Sequence, residues 1–260
     1  MNDTSKSQDW LALLAHALDV LINPSPAKLL ESFESWDYRH RLRPQLRRLE
    51  RLSLIERRER GAHAACRLTA AGRLAAQGGV DPLARWQRPW DGRWRLMLFD
   101  LPSRQKSLRL RLWRWLRAQR LGYLQNSAWV CPDPIEESRL PLRHLKLTPE
   151  AFVVLESRPV PPDSDLDLAR SAWDFAAINR RYHSVLDLAA RGTEMAQAPE
   201  LKPAPLRQWL AAEREAWLAA MAVDPFLPEA LLPPDYLGRQ AWAQRQAAFS
   251  RLVERLPPAV

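Results

Sequence analysis

The sequence predicts a multidomain α+β protein, and three features of its 260 residues support this class. Residues 41–61 combine helically spaced leucines and arginines with an arginine-rich, hairpin-like segment. Strand-like and helix-like segments then alternate, and the last part is helical in pattern. We therefore expect an N-terminal winged helix-turn-helix domain at 1–80, a central ferredoxin-like α+β domain at 88–160 and a C-terminal helical domain at 169–260.

Two helices are expected before the arginine-rich segment. Residues 8–22 carry apolar side chains on one face, and Ser25 with Pro26 matches the cap and first-turn proline of a second helix. A third helix covers about 40–53. Its Pro44 costs about 3 kcal/mol in a helix interior, so this helix starts late or kinks there.

The third helix carries a leucine stripe and an arginine row. The predicted buried leucines are Leu42, Leu46, Leu49 and Leu52. Arginines at steps of four form the second row, and guanidinium groups arranged in this way suit phosphates and guanine edges. A helix followed by a basic hairpin and a short closing helix at 69–79 indicates a winged helix. The predicted DNA-binding residues are Arg39, Arg41, Arg43, Arg47, Arg48, Arg51, Arg57, Arg58 and Arg60.

The whole chain has a net charge of +9, and its positive charge is concentrated in the first half. Residues 38–60 hold nine arginines against three glutamates, and residues 85–122 hold ten arginines and one lysine against two aspartates. After residue 122, acidic residues slightly outnumber basic ones. This distribution indicates a polyanionic partner such as nucleic acid.

Several functional classes lack their sequence signals. Cys66 and Cys131 are far apart and form no metal or redox spacing, which fits a reducing compartment. Neither a secretory leader nor a membrane-spanning apolar run is recognisable, so we expect a cytoplasmic protein. The phosphate-binding and dinucleotide loops and the hydrolase motifs are also missing. We accordingly expect no enzyme, no catalytic residues, no cofactor and no metal.

The remaining elements follow from pattern and punctuation. We predict a buried strand at 92–102, a basic helix at 107–122, a single strand at 123–134, a strand at 151–160, a polar linker at 161–168, and helices near 169–191, 203–223 and 237–256.

The order of these parts resembles the PaaX family of transcriptional repressors of phenylacetate degradation. The similarity covers nearly the whole chain and includes residues 88–134 and the segment DPFLPEALLPPDYLG at 224–238. The recognition-helix pattern of the family matches Leu42, Arg43, Leu46, Arg48 and Leu49, and its leucine-threonine-glycine segment matches Leu68, Thr69 and Gly72. The chain departs from the family at Arg47, where serine is usual, at Ser53, where glycine is usual, and at Cys66, where the wing has tyrosine.

The resemblance implies a homodimeric repressor that binds a double-stranded DNA operator. It also implies an effector of the aryl-acyl-coenzyme A class whose binding releases the DNA. Arg109 and Arg117 on the central helix, with an aromatic and basic segment in the C-terminal part, offer cations and an apolar slot for such a ligand. That segment contributes Trp173, Arg180, Arg181 and Tyr182. The basic face of the central helix also suits a nucleic-acid backbone, an acidic partner or plain solvation.

Asp100 supports an alternative hypothesis, a metal-dependent nuclease built on the central domain. It ends the first strand, where a nuclease with a similar fold places a metal-binding aspartate across its dimer axis. Asp91 is the only other acidic residue between 82 and 132, so a two-fold axis would have to supply the second ligand. The structural alternative is an ion pair between Asp100 and a nearby arginine.

Overall fold

The computed structural model describes residues 43–60, 63–101, 106–135 and 152–255. The two helices predicted before the arginine-rich segment lie outside these ranges, as do Arg39 and Arg41. The described part is an α+β protein, as predicted, with eight α-helices and two antiparallel sheets. The helices are α1 (Arg43–Arg51), α2 (Ala70–Ala76), α3 (Pro82–Trp86), α4 (Lys106–Ala118), α5 (Asp165–Ala172), α6 (Phe175–Gln197), α7 (Pro203–Val223) and α8 (Gly238–Glu254). The strands are β1 (Ile55–Arg60), β2 (His63–Leu68), β3 (Trp94–Phe99), β4 (Gly122–Gln125), β5 (Ala128–Cys131) and β6 (Phe152–Ser157).

The larger sheet has four strands in the order β4-β5-β3-β6, and every neighbouring pair is antiparallel. Helix α4 connects β3 to β4 and packs on one face of the sheet. Its Leu112 and Leu116 form a core with Met97 and Phe99 of β3 and with Trp129 of β5. These apolar side chains alternate along β3, as expected for a strand with a helix on one face.

Helix α5 lies against the opposite face of this sheet. The indole N–H of Trp94 donates a hydrogen bond to the Asp165 carboxylate at 2.7 Å. The Trp173 ring lies 6.2 Å from that of Trp94, and its indole N–H donates to the Arg120 carbonyl at 3.3 Å. These contacts join α5 to both ends of the segment that contains α4.

The segment at 123–134 was predicted as one strand, and this is wrong: it forms the hairpin β4–β5. Gln125 pairs with Ala128 across a two-residue turn, and Asn126 adopts a left-handed φ of 48°. Asparagine tolerates this conformation better than most residues with a side chain. The turn contains no glycine or proline, so the sequence pattern does not reveal it.

Two predicted boundaries in the next segment are also wrong. The linker predicted at 161–168 contains the start of α5, because Ser164 and Asp167 form a capping box. The Ser164 hydroxyl accepts from the Asp167 N–H, and the Asp167 carboxylate accepts from the Ser164 N–H. The helix predicted at 169–191 is two helices. Trp173 is extended, with φ −131° and ψ 138°, and the Asp174 carboxylate caps the next helix by accepting from the Ala177 N–H at 2.8 Å.

The described residues form two compact units. The central unit contains residues 82–180 and 223–236, and the terminal unit contains residues up to 81, residues 181–222 and residues from 237 onward. Within the described helices, none is both long and apolar enough to cross a lipid bilayer.

The terminal unit has a core of aromatic residues around a buried ion pair. The Arg245 guanidinium donates to both oxygens of Glu213, at 2.5 and 3.2 Å, and lies 4.8 Å from the centre of the Trp217 ring. Both charged side chains are almost fully buried. The Trp217 indole N–H donates to the Gln77 carbonyl at 3.1 Å, which joins α7 to the residues that follow α2.

Candidate nucleic-acid interface

Helix α1 separates an apolar side from an arginine side. Leu49 is 1% exposed and packs with Ile55 and Leu68 of the hairpin. Arg47 and Arg51 are exposed and lie about 180° around the helix from Leu49. The helix is described from Arg43, which places Pro44 in the first turn, where a missing N–H costs least.

The predicted burial of Leu52 is wrong. It is 54% exposed, because α1 ends at Arg51 and the chain turns away at Ser53, whose φ of 54° is left-handed. Leu54 packs against the core instead. The turn is closed by backbone hydrogen bonds from Ser53 to Glu50 and from Leu54 to Leu49. Such a C-terminal turn is the usual place for glycine, which is the residue that the resembling family has at this position.

Thr69 and Gly72 hold the start of α2 against this turn. The Thr69 hydroxyl accepts from the Gly72 N–H at 3.0 Å as an N-cap and donates to the Ser53 carbonyl at 2.7 Å. A Cβ at Gly72 would lie 1.9 Å from the Leu54 carbonyl oxygen, so only glycine permits this approach. Together with buried Leu68, these residues explain the leucine-threonine-glycine segment in structural terms.

Strands β1 and β2 form the predicted hairpin. Their antiparallel register runs from Ile55 paired with Leu68 to Arg60 paired with His63. The hairpin follows α1 directly and precedes α2, which is the element order expected from the sequence. The helix, the hairpin and the closing helix are therefore confirmed as secondary structure.

The predicted DNA-binding arginines are distributed over this substructure. Arg47 and Arg51 are exposed on α1, and Arg48 is half-buried beside them. The structure places the backbone of four further predicted arginines on α1 or β1. These are Arg43, Arg57, Arg58 and Arg60.

The predicted ligand residues occupy several environments. Arg109 is half-buried, and its guanidinium donates to the Leu101 carbonyl at 2.6 Å. Arg117 is exposed and lies 5.9 Å from the centre of the Trp113 ring. Tyr182 is 0% exposed and packs against Trp217. Of the others, Trp173 is half-buried between the sheet and Arg120, and Arg180 and Arg181 are exposed on α6.

A cleft of about 300 Å³ lies between α6 and α7 in the terminal unit. Its lining consists of residues that the sequence analysis did not select, namely Arg191, Glu194, Met195, Pro205, Gln208 and Trp209. Gly192 allows this arrangement, because a Cβ there would lie 2.4 Å from the Trp209 ring.

Asp100 is exposed immediately after β3, whereas Asp91, which precedes this strand, pairs with an arginine. Arg95 donates to both oxygens of Asp91, at 2.9 and 2.6 Å, and to Glu156 at 3.2 Å. The hydrogen bond from Arg95 holds the pKa of Asp91 below its ordinary value, and a hydrogen bond from Arg93 does the same for the pKa of Glu156. Within the described ranges, no three His, Cys, Asp or Glu side chains are grouped as a metal site requires.

The segment 224–238 is anchored by Asp224, Phe226 and Tyr236. Asp224 is 0% exposed, accepts from the Phe226 N–H at 2.6 Å and accepts a hydrogen bond from the Tyr236 hydroxyl. Phe226 has a φ of 50° and is buried against Trp86, which also contacts Tyr236. The Arg120 guanidinium covers the Phe226 ring at 4.6 Å. These contacts explain why an aspartate, a phenylalanine and a tyrosine occupy this proline-rich stretch.

The geometry defines an α+β protein with an arginine row on a short helix beside a basic hairpin. Two family models match consecutive segments that cover most of the chain. The PaaX protein central Cas2-like domain matches residues 87–169, and the PaaX-like protein C-terminal domain matches residues 173–259. The chain therefore belongs to the PaaX family, as the sequence resemblance indicated.

A solved structure shares the fold. It is the uncharacterized protein Rv0674 from Mycobacterium tuberculosis, which is 22% identical, with a TM-score of 0.56 over 94% of this chain and 97% of that chain. No match is found among the curated proteins.

Proposed function

We propose that this PaaX family member is a cytoplasmic transcriptional repressor that binds an operator in duplex DNA as a homodimer. In this proposal, α1 enters the major groove, and the β1–β2 wing contacts the flanking phosphates. The N-terminal residues to about 80 form the winged helix-turn-helix domain, residues 88–160 the ferredoxin-like domain and residues 169–260 the helical domain. The strand order of the larger sheet and the Cas2-like family match support the ferredoxin-like assignment.

The observation that carries the proposal is the opposition of Leu49 to Arg47 and Arg51 on α1. The buried leucine fixes the helix on the hairpin, and the exposed guanidinium groups point away from this core. Arginine forms bidentate hydrogen bonds to guanine edges. Because Arg47 and Arg51 are four residues apart, about one helical turn, both can reach the same groove. The basic hairpin beside the helix supplies cations for phosphates.

Selection of genomic DNA fragments by the purified full chain tests this proposal. We expect enrichment of a short motif with two-fold symmetry, because a homodimer presents two identical helices to two half-sites. Light scattering of the complex should give two chains per operator. Enrichment without any shared motif, or a single chain per duplex, would contradict the proposed operator binding.

We propose that the effector belongs to the aryl-acyl-coenzyme A class, on the basis of family membership. The hydrogen bond from the Trp217 indole N–H to the Gln77 carbonyl joins α7 to the end of α2. In this proposal, a movement of α7 on ester binding shifts α2 and, with it, the β1–β2 hairpin. Titration of phenylacetyl-coenzyme A into the protein–operator complex should lower operator affinity. Linkage then requires equally weaker ester binding by the DNA-bound protein. An operator affinity that is unmoved by saturating ester would rule out this effector.

A magnesium assay separates this proposal from the nuclease alternative. We expect supercoiled plasmid and RNA to remain intact with the protein and magnesium. Cleavage that depends on magnesium and disappears in Asp100→Asn would replace the regulator hypothesis with the nuclease one.

A further inference from the structure

The solvent-facing side of α4 carries four cations. Lys106, Arg111, Arg114 and Arg117 are exposed, whereas Leu112 and Leu116 on the other side are fully buried in the core. By helical geometry, the four exposed cations lie within an arc of about 140°. We call this set the α4 cation arc. Arg109 is not part of it, because its guanidinium is turned to the Leu101 carbonyl.

Helix α4 itself supplies no compensating charge to the arc. The sequence of α4, KSLRLRLWRWLRA, contains no aspartate or glutamate. Other arginines of the central unit do have carboxylate partners: Arg88 pairs with Asp133 at 2.6 Å and Arg95 with Asp91 at 2.6 Å. Among the residues that the structure describes, no ion pair involves a member of the arc. Among the described residues, the central unit thus pairs some of its arginines with carboxylates elsewhere and none on this surface.

An uncompensated helix face of this kind carries a cost in the free protein. Arg111 and Arg114 are three residues apart, as are Arg114 and Arg117, so these like charges lie next to each other on the helix surface and repel. Solubility does not require a helix face of a single charge sign. Helix α6, for example, carries Asp187 and Glu194 among its arginines. An anionic partner would remove the repulsion on α4.

We propose that the α4 cation arc binds the phosphate backbone of duplex DNA, as a contact additional to the winged helix. This inference rests on the proposed function, which places duplex DNA on the protein. From Lys106 to Arg117 the helix rises about 16 Å, which equals the rise of about five base pairs along the axis of B-DNA, where each strand carries one phosphate per about 3.4 Å of axis. The cation–π contact between Arg117 and Trp113 positions one guanidinium at the end of the arc. Backbone contacts of this type add affinity without adding sequence preference.

The test measures the salt dependence of binding of the full chain to fluorescent 40-base-pair duplexes of operator DNA, random-sequence DNA and RNA. The variant Arg111→Gln/Arg114→Gln removes two cations and keeps good helix formers. If both cations contact phosphates, the slope of log K against log salt becomes shallower by about 1.8, and affinity at 0.1 M salt falls by about 10- to 60-fold. The loss should be equal for operator and random duplexes.

Two controls isolate the arc from net charge and from folding. Lys202→Gln/Arg207→Gln removes the same charge from exposed positions at the start of α7 and should leave the slope unchanged. Arg111→Lys/Arg114→Lys retains the charge and should restore most of the slope, provided that thermal melting shows all variants folded.

The outcomes distinguish this inference from the proposed function. A wild-type slope in Arg111→Gln/Arg114→Gln, with Arg47→Ala still impaired at the operator, overturns the arc contact alone. A slope change confined to duplex RNA, or a loss that Lys202→Gln/Arg207→Gln reproduces, also overturns it. If the wild-type chain binds no duplex DNA, the proposed function fails and the arc contact fails with it.

Discussion

The hydroxyl of Thr69 donates a hydrogen bond to the carbonyl of Ser53 at 2.7 Å, across 16 residues of sequence. The same hydroxyl oxygen accepts from the Gly72 N–H and thereby caps α2. One side chain therefore joins the end of α1 to the start of α2, and the hairpin between them begins and ends at this link. The orientation of the proposed recognition helix depends on it.

Thr69→Ala should lower the free energy of unfolding of the full chain by about 1–2 kcal/mol, because it removes a helix cap and a link to the α1 turn. Thr69→Ser keeps the hydroxyl and should lose much less. Urea denaturation monitored by tryptophan fluorescence measures both. Equal losses in the two variants would show that the threonine methyl group, and not the hydroxyl, stabilises this site.

Ser53→Gly should raise the free energy of unfolding by about 0.5–1 kcal/mol. Ser53 has a φ of 54°, and glycine adopts this left-handed conformation without the steric cost that a Cβ imposes. Ser53→Ala retains the Cβ and should give no gain. Chemical denaturation of the pair decides the matter, and a destabilising Ser53→Gly would refute the assigned strain.

Arg47→Ala should weaken operator binding by about 1–3 kcal/mol and leave binding to random duplex DNA nearly unchanged, because base-edge contacts are specific. Arg43→Ala should behave in the same way. Arg57→Ala and Arg58→Ala should instead weaken binding to every duplex and flatten its salt dependence. Fluorescence anisotropy with operator and random duplexes compares them. Parallel losses on both duplexes in the α1 variants would argue against base contacts by this helix.

Acidification should destabilise the central unit through the Arg95 cluster. The ordinary pKa values are 3.8 for Asp91 and 4.5 for Glu156, and their arginine hydrogen bonds lower both pKa values in the folded protein. Groups with a depressed folded pKa stabilise the protein above the unfolded pKa and lose this effect as pH falls through the folded pKa. We expect the free energy of unfolding to fall as pH decreases below about 5.

The variant Asp91→Asn removes one titrating partner of Arg95 and should make this pH dependence weaker. Asp163→Asn, at an exposed position, serves as the matched control. Urea titrations at several pH values between neutrality and strong acid give the two slopes. The same slope in Asp91→Asn as in the wild type would exclude Asp91 as a contributor.

Tyr236→Phe should lower the free energy of unfolding by about 1–3 kcal/mol, because it removes a hydrogen bond from the fully buried Asp224 carboxylate. The exposed Tyr123 offers a matched control, and Tyr123→Phe should change stability by less than about 0.5 kcal/mol. Thermal unfolding distinguishes the two substitutions. Similar effects at both tyrosines would remove the special role assigned to the buried hydroxyl.

The sequence alone determined the elements whose signal is local. On α1, apolar and basic residues recur at helical spacing, so the burial of Leu49 and the exposure of Arg47 follow from periodicity. An apolar run that ends at a proline identified β3, and the family resemblance agrees with both family models. The α4 segment alternates leucine and arginine in a way that also suits a strand, but its length and its lack of β-branched residues favoured the helix that is observed.

Tertiary structure decided the features that depend on partners distant in sequence. Leu52 continues the leucine spacing but is exposed, because α1 ends at Arg51 and the chain makes a left-handed turn at Ser53. Asp224 became a buried anchor only because the fold brings Tyr236 and the Phe226 N–H to its two oxygens. Arg109 and Arg117 share one helical stripe, yet only the former meets the Leu101 carbonyl. Spacing along a chain specifies a face of an element, whereas the free energy of burying a polar group depends on the groups that the rest of the fold places against it.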